Sequence, residues 1–277
     1  MKKILGTFII FLFTVINSIA QPSSLYIRGS ETVLPLSIKY SKTFMDMHPG
    51  FTIEVVGGGS GVGINALIEG NTDIAEASRK IKPEELAKLK DENRTVKEVE
   101  IAFDALAVIV NPQNPVKNLT REQLEAIFTG KISNWKELGG NNLSIVVYSR
   151  ESSSGTYVFF KEHVLKNKDY SPSSMIMPSM DALTIGVAQT PGGIGYIGLA
   201  YCNKDTKTIN VSFDGGKNYI EPSVSTVNQK TYPIIRSLYY YYDIKDESKV
   251  KDFIELALSP IGQQIVKEVG YIPLTAK

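Results

Sequence analysis

Hydroxyl side chains, glycine and one arginine are concentrated in the stretch YSRESSSGTYVFF, from Tyr148 to Phe160. Arg150 ends a strand-like apolar run, and Ser154, Gly155 and Thr156 stand where a helix is ready to begin. Three interpretations remain open: an ordinary helix N-cap, a catalytic serine, or a seat for an anion. An anion would use the free amides at the helix start and the bidentate donor that arginine adds.

Two further strand-to-helix turns carry the same residue types. Ser60 and Gly61 lie in GGGSGVG, between FTIEVV and INALIEG, where glycines let a ligand approach the backbone closely; a tight turn is the alternative. Ser30 and Thr32 lie in RGSETVLP, ahead of a helix predicted from Pro35. Ligands of open α/β sheets collect at the carboxyl ends of strands. The sequence therefore predicts a converging set of donors for a tetrahedral oxyanion.

Asp73, Ser78 and Arg79 lie in NTDIAEASRK and complete the candidate site. A carboxylate among donors can accept a hydrogen bond from an anion that still carries a proton, as phosphate does at neutral pH and sulfate does not. A site built on such an acceptor can reject the unprotonated analogue by roughly 10⁴. We expect Asp73 to have this role, and a solvated turn residue is the alternative. Ser78 and Arg79 either contact the ligand or pair locally.

The sequence lacks the motifs of common enzymes and metal sites. Neither Ser60 nor Ser154 lies in Gly-x-Ser-x-Gly, and GGGSGVG is not followed by the Lys-Ser/Thr of a phosphate loop. The match of Gly61 to Ala66 to G-x-G-x-x-A is a weak dinucleotide signal on its own. One cysteine and two distant histidines do not make a usual zinc site, while a carboxylate site for a hard cation stays open. We expect no catalysis, no cofactor and no bound metal.

Charge and targeting signals indicate an exported protein without a nucleic-acid partner. The 277 residues carry 30 basic and 29 acidic side chains, a balance that argues against a nucleic-acid partner. MKKILGTFIIFLFTVINSIA predicts a secretory signal over residues 1–20, cleaved near Ala20; a retained membrane anchor is the alternative. Cys202 is the single cysteine, so neither an internal disulfide nor a lipid anchor at the cut is signalled. An exported chain without disulfides favours the periplasm.

Strand-length apolar segments alternate with helical patterns and predict an α/β fold with largely parallel strand pairing. Two longer β-type runs, at 99–111 and 232–243, are expected to cross between two lobes. Thr120 and Gln123 form a capping box for a helix between these runs. A terminal helix is predicted from ESKVKDFIELALSPIGQQIVKEVG. The predicted lobes are 21–107 with 231–277, and 108–230.

Six stretches, taken in order, resemble the phosphate-binding proteins that feed ABC phosphate importers. They are GSETVLPL, HPGFTIEVVGGGSGVGINALIEGNTDIAEASR, NPVKNLTREQLEAIFTGKISNWKELGG, SRESSSGT, PGGIGYIGLAY and LSPIGQQIVKEVGYIPL. This resemblance implies a type II periplasmic binding fold of two lobes, each a mixed, mainly parallel sheet flanked by helices. It also implies that phosphate is held in the cleft and delivered to permease subunits in the inner membrane.

The resemblance also assigns the family's ligand positions to this sequence. They fall on Ser30, Thr32 and the Val33 amide, on Ser60 and Gly61, on Asp73 as the acidic acceptor, and on Arg150, Ser154, Gly155 and Thr156. The segment from aspartate to serine is longer here than in the best-known members, and Arg79 is expected to add a charge that others lack. We expect a monomer.

Three other functions are alternatives to phosphate delivery. The protein could bind another oxyanion such as sulfate, molybdate or a phosphonate, it could be a secreted phosphatase, or it could be an adhesion or signalling module.

Overall fold

The computed structural model describes residues 24–274, and the predicted secretory signal lies outside them. Strands and helices alternate along most of this part of the chain, as predicted. The strands are β1 (Ser24–Gly29), β2 (Thr52–Val56), β3 (Ile74–Ala77), β4 (Val96–Val110), β5 (Asn118–Thr120), β6 (Val146–Arg150), β7 (Met175–Met177), β8 (Gly193–Gly198), β9 (Lys207–Thr208), β10 (Asn210–Ser212) and β11 (Ile235–Asp243).

The helices are α1 (Leu34–Met47), α2 (Ser60–Glu69), α3 (Pro83–Asp91), α4 (Arg121–Phe128), α5 (Gly155–His163), α6 (Met180–Gln189), α7 (Val224–Asn228), α8 (Glu247–Leu258) and α9 (Pro260–Val269). Short 3₁₀ turns cover Trp135–Leu138, Leu199–Tyr201 and Ile244–Asp246. Within residues 24–274 we find no helix with both the length and the apolar character needed to cross a membrane.

The sheet has mixed strand directions, with parallel strands at its two ends. Its order is β2-β1-β3-β11-β4-β8-β6-β7, and β9 pairs with β4 beside this path. Strand β1 runs parallel to β2 and β3, and β6 runs parallel to β7 and β8. The central strands β11 and β4 are antiparallel to each other and to their outer neighbours. The α/β class and the mainly parallel flanks are therefore confirmed.

Strands β4 and β11 correspond to the two long runs that the sequence predicts as crossings. The earlier part of β4 pairs with β11, whereas Leu106 to Val110 pair with β8. In the shared register Arg236 stands opposite Asp104. These two strands thus join the parallel strands on one side of the molecule to those on the other.

Two large hydrophobic cores lie on either side of this junction. One contains Tyr40, Phe44 and Phe253 and draws its buried residues from 25–102 and 238–271. The other contains Phe128 and Trp135 and draws its residues from 105–234, with Ile272 in addition. Because each core is fully buried and separate, the protein has two lobes, as expected for this fold.

Local sequence signals explain where several helices start and stop. Thr120 accepts from the Gln123 amide while the Gln123 side chain accepts from the Thr120 amide, which confirms the predicted capping box. The predicted terminal helix is instead two helices, because Ser259 adopts an extended ψ of 165° before Pro260. Helix α2 begins at Ser60, so GGGSGVG forms part of the helix as well as the turn before it.

Candidate functional site

Three hydroxyl residues gather where β1, β2 and β3 end. Because these strands are parallel and adjacent, their carboxyl ends share one edge of the sheet. Ser30 follows β1, Ser60 follows the turn after β2, and Ser78 follows β3, and all three are buried. The Ser78 amide donates to Ser60 Oγ at 3.0 Å, and the two hydroxyl oxygens are 3.4 Å apart. The turns that carry Ser30 and Ser60, two of the three predicted to converge, therefore lie at one edge of the sheet, together with Ser78.

The start of helix α5 packs directly on this edge from the other lobe. Ser154 caps the helix by accepting from the Tyr157 amide at 3.4 Å. A methyl carbon placed on Gly155 would lie 2.2 Å from Ser60 Oγ and 2.6 Å from Ser78 Oγ. Glycine is therefore required for this close approach. The first amides of α5 also lack an intrahelical acceptor, as at every helix start, so they can bind an anion.

Further contacts join the two lobes at the same place. The Gly61 amide donates to the Ser153 carbonyl oxygen at 3.0 Å, which ties the start of α2 to the segment before α5. Thr32 Oγ1 lies 3.0 Å from Thr156 Oγ1, and both side chains are buried. Val33 precedes α1, and its amide donates to the Ser30 carbonyl oxygen at 2.9 Å. We call the six hydroxyl residues Ser30, Thr32, Ser60, Ser78, Ser154 and Thr156, together with the Gly155 backbone that packs against them, the hydroxyl cluster.

Arg150 places a buried cation next to the start of α5. The side chain is 0% exposed, and it donates from Nε to the Met177 carbonyl oxygen at 3.0 Å and from Nη2 to that of Pro178 at 2.7 Å. Its Nη1 is buried and has no hydrogen-bond partner within residues 24–274. The nearest carboxylate, Glu151, is 3.4 Å away and partly exposed. A buried donor without a partner is costly, and the ion pair with Glu151 is long, so Nη1 is suited to receive an anion.

Arg79 lies at the border of the cluster, and its charge is balanced by the carboxylate of Glu85. Its Nη1 and Nη2 donate to the two carboxylate oxygens of Glu85 at 2.8 and 2.7 Å, and both residues are buried. Arg79 Nη2 is 3.6 Å from the Cβ position of Gly61. A cavity of about 450 Å³ lies beside Arg79; Lys80, Arg236 and Glu162 also line it, so its wall carries charges of both signs.

Comparison with known proteins identifies the family to which this chain belongs. The family whose sequence profile matches residues 17–260 is described as a PBP superfamily domain. The phosphate-binding protein PstS of Pseudomonas aeruginosa is 33% identical over 267 residues, which cover 90% of this chain and 82% of that protein. This chain belongs to the PBP superfamily and to its PstS-like phosphate-binding proteins. The family consists of substrate-binding proteins.

Other members of the PstS-like family show comparable similarity. The phosphate-binding protein PstS of Staphylococcus haemolyticus is 34% identical over 254 residues, covering 88% of this chain and 79% of that protein. A structure from Clostridium perfringens with bound phosphate has a TM-score of 0.82 and 37% identity, and the match covers 91% of this chain and all of that one. An ABC-type phosphate transport receptor from Vibrio cholerae gives 0.74 and 30%, with 90% and 100% covered.

Asp73, which the resemblance assigns as the family's acidic acceptor, lies far from the hydroxyl cluster. It precedes β3, whereas Ser78 follows this strand, so at about 3.3 Å per residue the two are roughly 16 Å apart. Asp73 Oδ1 lies 2.7 Å from Lys249 Nζ, and Asp73 Oδ2 accepts from the Tyr26 amide at 2.9 Å. The expectation that Asp73 accepts the ligand's proton is therefore corrected. In this PstS-like chain Asp73 fixes the amino end of a strand.

Sequence reasoning missed two charged residues that this PstS-like chain places at the cluster. Arg236 donates to Thr32 Oγ1 at 3.1 Å and to Thr156 Oγ1 at 3.0 Å, and it forms a buried ion pair with Asp104. Burial raises the pKa of Asp104, and the charge of Arg236 opposes that rise. The available signal was a charged residue beside apolar residues in each crossing strand, Asp104 in β4 and Arg236 in β11. Their meeting follows only from the strand register.

Proposed function

We propose that this protein captures inorganic phosphate between its two lobes, outside the cytoplasm, and delivers it to the permease subunits of an ABC importer. The observation that carries the proposal is the buried Arg150 Nη1, which has no partner within residues 24–274 and belongs to the last residue of β6, shortly before α5 begins. Charge-assisted hydrogen bonds are the stronger ones, and a helix start adds amides and dipole. The relatives are named phosphate-binding proteins, and one similar structure holds phosphate.

The proposed contacts follow from burial and position. The ligand binds the hydroxyl cluster and Arg150; contacts with Gly61 and the Val33 amide require these amides to leave the carbonyl oxygens to which they donate here. Arg79, paired with Glu85, borders the site. Phosphate enters with the lobes apart, and a hinge motion in β4 and β11 closes them over it. The lobes divide as 21–107 with 231–277, and 108–230. The separation of the two hydrophobic cores near these positions supports that division.

Calorimetry on protein stripped of ligand tests this proposal. We expect phosphate to bind at micromolar or lower concentrations, which corresponds to about 8 kcal/mol or more of binding free energy. Sulfate and arsenate are titrated into the same preparation. Absence of heat with phosphate, at concentrations up to millimolar, would contradict the proposal.

A receptor for a fully deprotonated oxyanion such as sulfate is the second candidate, because of where the carboxylates lie. Glu85 is engaged by Arg79 and Asp104 by Arg236, Glu151 pairs with Arg150, Glu31 accepts from the Gly58 amide, and Asp73 is distant from the cluster. Each carboxylate near the cluster therefore already has a donor of its own. The competition titration decides between the two: sulfate bound more tightly than phosphate would favour this second candidate.

We further propose a monomer that is exported by the predicted signal and that performs no catalysis. A secreted phosphatase would release product from a chromogenic phosphate ester, and we expect none to be released. Cell fractionation of the native host tests the location. Radiolabelled phosphate uptake, compared between strains with and without the protein, tests delivery to an importer.

A further inference from the structure

Arg236 and Asp104 form a buried ion pair at the junction between the lobes. The residues stand opposite each other in the register of β11 and β4. Arg236 Nε and Nη2 donate to the same oxygen, Asp104 Oδ2, at 3.0 and 2.8 Å. Arg236 is 4% exposed and Asp104 is 0% exposed. Buried ion pairs often add little net stability because both charges lose water. Stabilisation of the fold is therefore not a sufficient explanation for this ion pair.

The same guanidinium contacts one hydroxyl from each lobe. Nη2 donates to Thr32 Oγ1 at 3.1 Å, and Nη1 donates to Thr156 Oγ1 at 3.0 Å. Thr32 follows β1, and Thr156 lies in the first turn of α5. Because a guanidinium is a rigid planar fork, these two bonds set the spacing of the two threonines once Asp104 has fixed the arginine.

These contacts also decide what the threonine hydroxyls can offer a ligand. A hydroxyl has one proton to donate and accepts through its lone pairs. Each threonine oxygen accepts from Arg236, and the two oxygens lie 3.0 Å apart, so without a ligand one donates to the other. An anion held between the lobes allows both protons to point at it. Because Arg236 donates to both hydroxyl oxygens, it leaves the hydroxyl protons of Thr32 and Thr156 available for donation to the ligand.

We propose that Arg236, held by Asp104, is a positioning residue that links lobe closure to the donor geometry of Thr32 and Thr156. This inference rests on the proposed oxyanion-binding function and adds a residue to it. Direct ligand contact is a minor part of the role: a guanidinium has five N–H groups, and four of Arg236's donor contacts already go to Asp104 and the threonines.

The first test compares Arg236→Met with Arg94→Met by phosphate calorimetry and stopped-flow dissociation. Arg94 pairs with the buried Asp243 at the far end of β11, 3.3 Å away, and contacts no residue of the hydroxyl cluster. We expect Arg236→Met to weaken binding by about tenfold or more, mainly through faster dissociation, and Arg94→Met to change it less than twofold. Equal affinities for wild type and Arg236→Met would overturn the inference.

The second test is a double-mutant cycle between Arg236→Met and Thr156→Val. If the arginine acts through the threonine, the double variant should lose much less affinity than the product of the two single losses. Losses that multiply would overturn this inference. The two-position cycle separates a positioning role from a general loss of stability, since only the former predicts coupling in affinity.

Arg236→Lys keeps the inference testable if the methionine variant fails to fold. Lysine retains the charge that Asp104 needs but has no planar fork, so we expect an intermediate affinity. A lysine variant that binds as wild type does would rule out the bridging role. Wild-type protein that binds no phosphate, sulfate or arsenate would instead refute the proposed function, and this control is measured first.

Discussion

Arg150 illustrates how a single buried side chain can determine ligand choice. Its guanidinium is completely buried, and two backbone carbonyl oxygens take two of its donor groups. Carbonyl groups orient the cation without neutralising it, and Glu151 is partly exposed. The ion pair with Glu151 is long, at 3.4 Å, so a bound anion would add an opposite charge and a partner for Nη1 where water screens little. A neutral ligand would add no such charge.

We expect Arg150→Met to weaken phosphate binding by at least about tenfold, because a charge-assisted bond to a buried cation is lost. Calorimetry at fixed pH and salt measures the change. Arg121→Met is the matched control: Arg121 is also largely buried and forms ion pairs with Glu122 and Glu125, but it contacts no part of the hydroxyl cluster. Unchanged affinity in Arg150→Met would remove this residue from the site.

Asp73→Asn should leave both phosphate affinity and sulfate competition unchanged, because Asp73 lies at the opposite end of β3 from Ser78. The expected effect is a small loss of stability, since the ion pair with Lys249 is largely exposed on the lysine side. Thermal unfolding and a sulfate competition titration measure the two properties. A variant that gained sulfate binding would return Asp73 to the ligand site.

The residues of this site were predictable to different degrees for a physical reason. Ser30, Ser60 and Ser154 follow strands and precede helices, so the general rule for α/β sheets located them. Asp73 precedes β3 and Ser78 follows it, so the same rule selects Ser78 and argues against Asp73; the assignment of Asp73 came from the family resemblance and not from this rule. The contact of Arg236 with Thr32 depends on strand register and chain reversal, which local patterns do not contain.

Helix α5 can pack closely against Ser60 and Ser78 because its first residue, Gly155, has no side chain. Gly155→Ala would bring a methyl group to 2.2 Å from Ser60 Oγ and force the lobes apart. We expect a loss of phosphate affinity of about tenfold or more with little change in melting temperature, because each lobe keeps its own core. Calorimetry and thermal unfolding measure these.

Gly61→Ala provides a graded comparison for this prediction. A methyl carbon at Gly61 would lie 3.2 Å from the Ser153 carbonyl oxygen, so a small shift accommodates it. We expect a smaller loss of affinity than in Gly155→Ala. Equal affinities for Gly155→Ala and wild type would contradict the packing of α5 against the serines.

Strand β3 contains a buried carboxyl group, that of Glu76. Burial raises its pKa to about 8, although Ser37 donates a hydrogen bond to it. The folded state therefore retains a proton that the unfolded state releases near pH 4.5. The free energy of unfolding must fall as pH rises from about 4.5 to about 8, because the folded state binds more protons there.

Glu76→Gln should remove this pH dependence, because glutamine has no proton to release. We expect the variant to gain stability relative to wild type when the pH is raised from about 5 to about 8. Urea unfolding at the two pH values measures the difference. Glu54→Gln, at an exposed position of β2, is the control and should change little. A parallel pH dependence in wild type and Glu76→Gln would contradict the raised pKa.

Element boundaries were predictable where the signal was local and chemical. The capping box at Thr120 and the long crossing strands were read correctly from residue order. The predicted terminal helix contained Pro260, and the preceding residue is driven into an extended conformation, so the chain forms α8 and α9. Hydrophobic periodicity continues through the break, which is why the pattern alone indicated one helix.

At the scale of the whole molecule, the two large cores share no buried residue, although the second core also takes in Ile272 and the ends of the crossing strands. Away from the crossing strands, polar contacts join the two sides at the junction. Besides the hydroxyl cluster, Tyr201 donates from its hydroxyl to the Glu31 carbonyl oxygen at 2.8 Å. Burial raises the pKa of Tyr201, which keeps this donor protonated at physiological pH.

Tyr201→Phe removes that contact between the lobes and leaves the ligand residues intact. Loss of one neutral hydrogen bond corresponds to about 1 kcal/mol, so we expect roughly fivefold weaker phosphate binding, expressed mainly as faster dissociation. Stopped-flow dissociation measures the rate, and thermal unfolding without ligand should be nearly unchanged because each core persists. Tyr219→Phe, at an exposed position, is the control and should bind as wild type does. If Tyr201→Phe released phosphate at the wild-type rate, closure would not depend on this contact, and the hydroxyl cluster with Arg150 would have to hold the lobes together by itself.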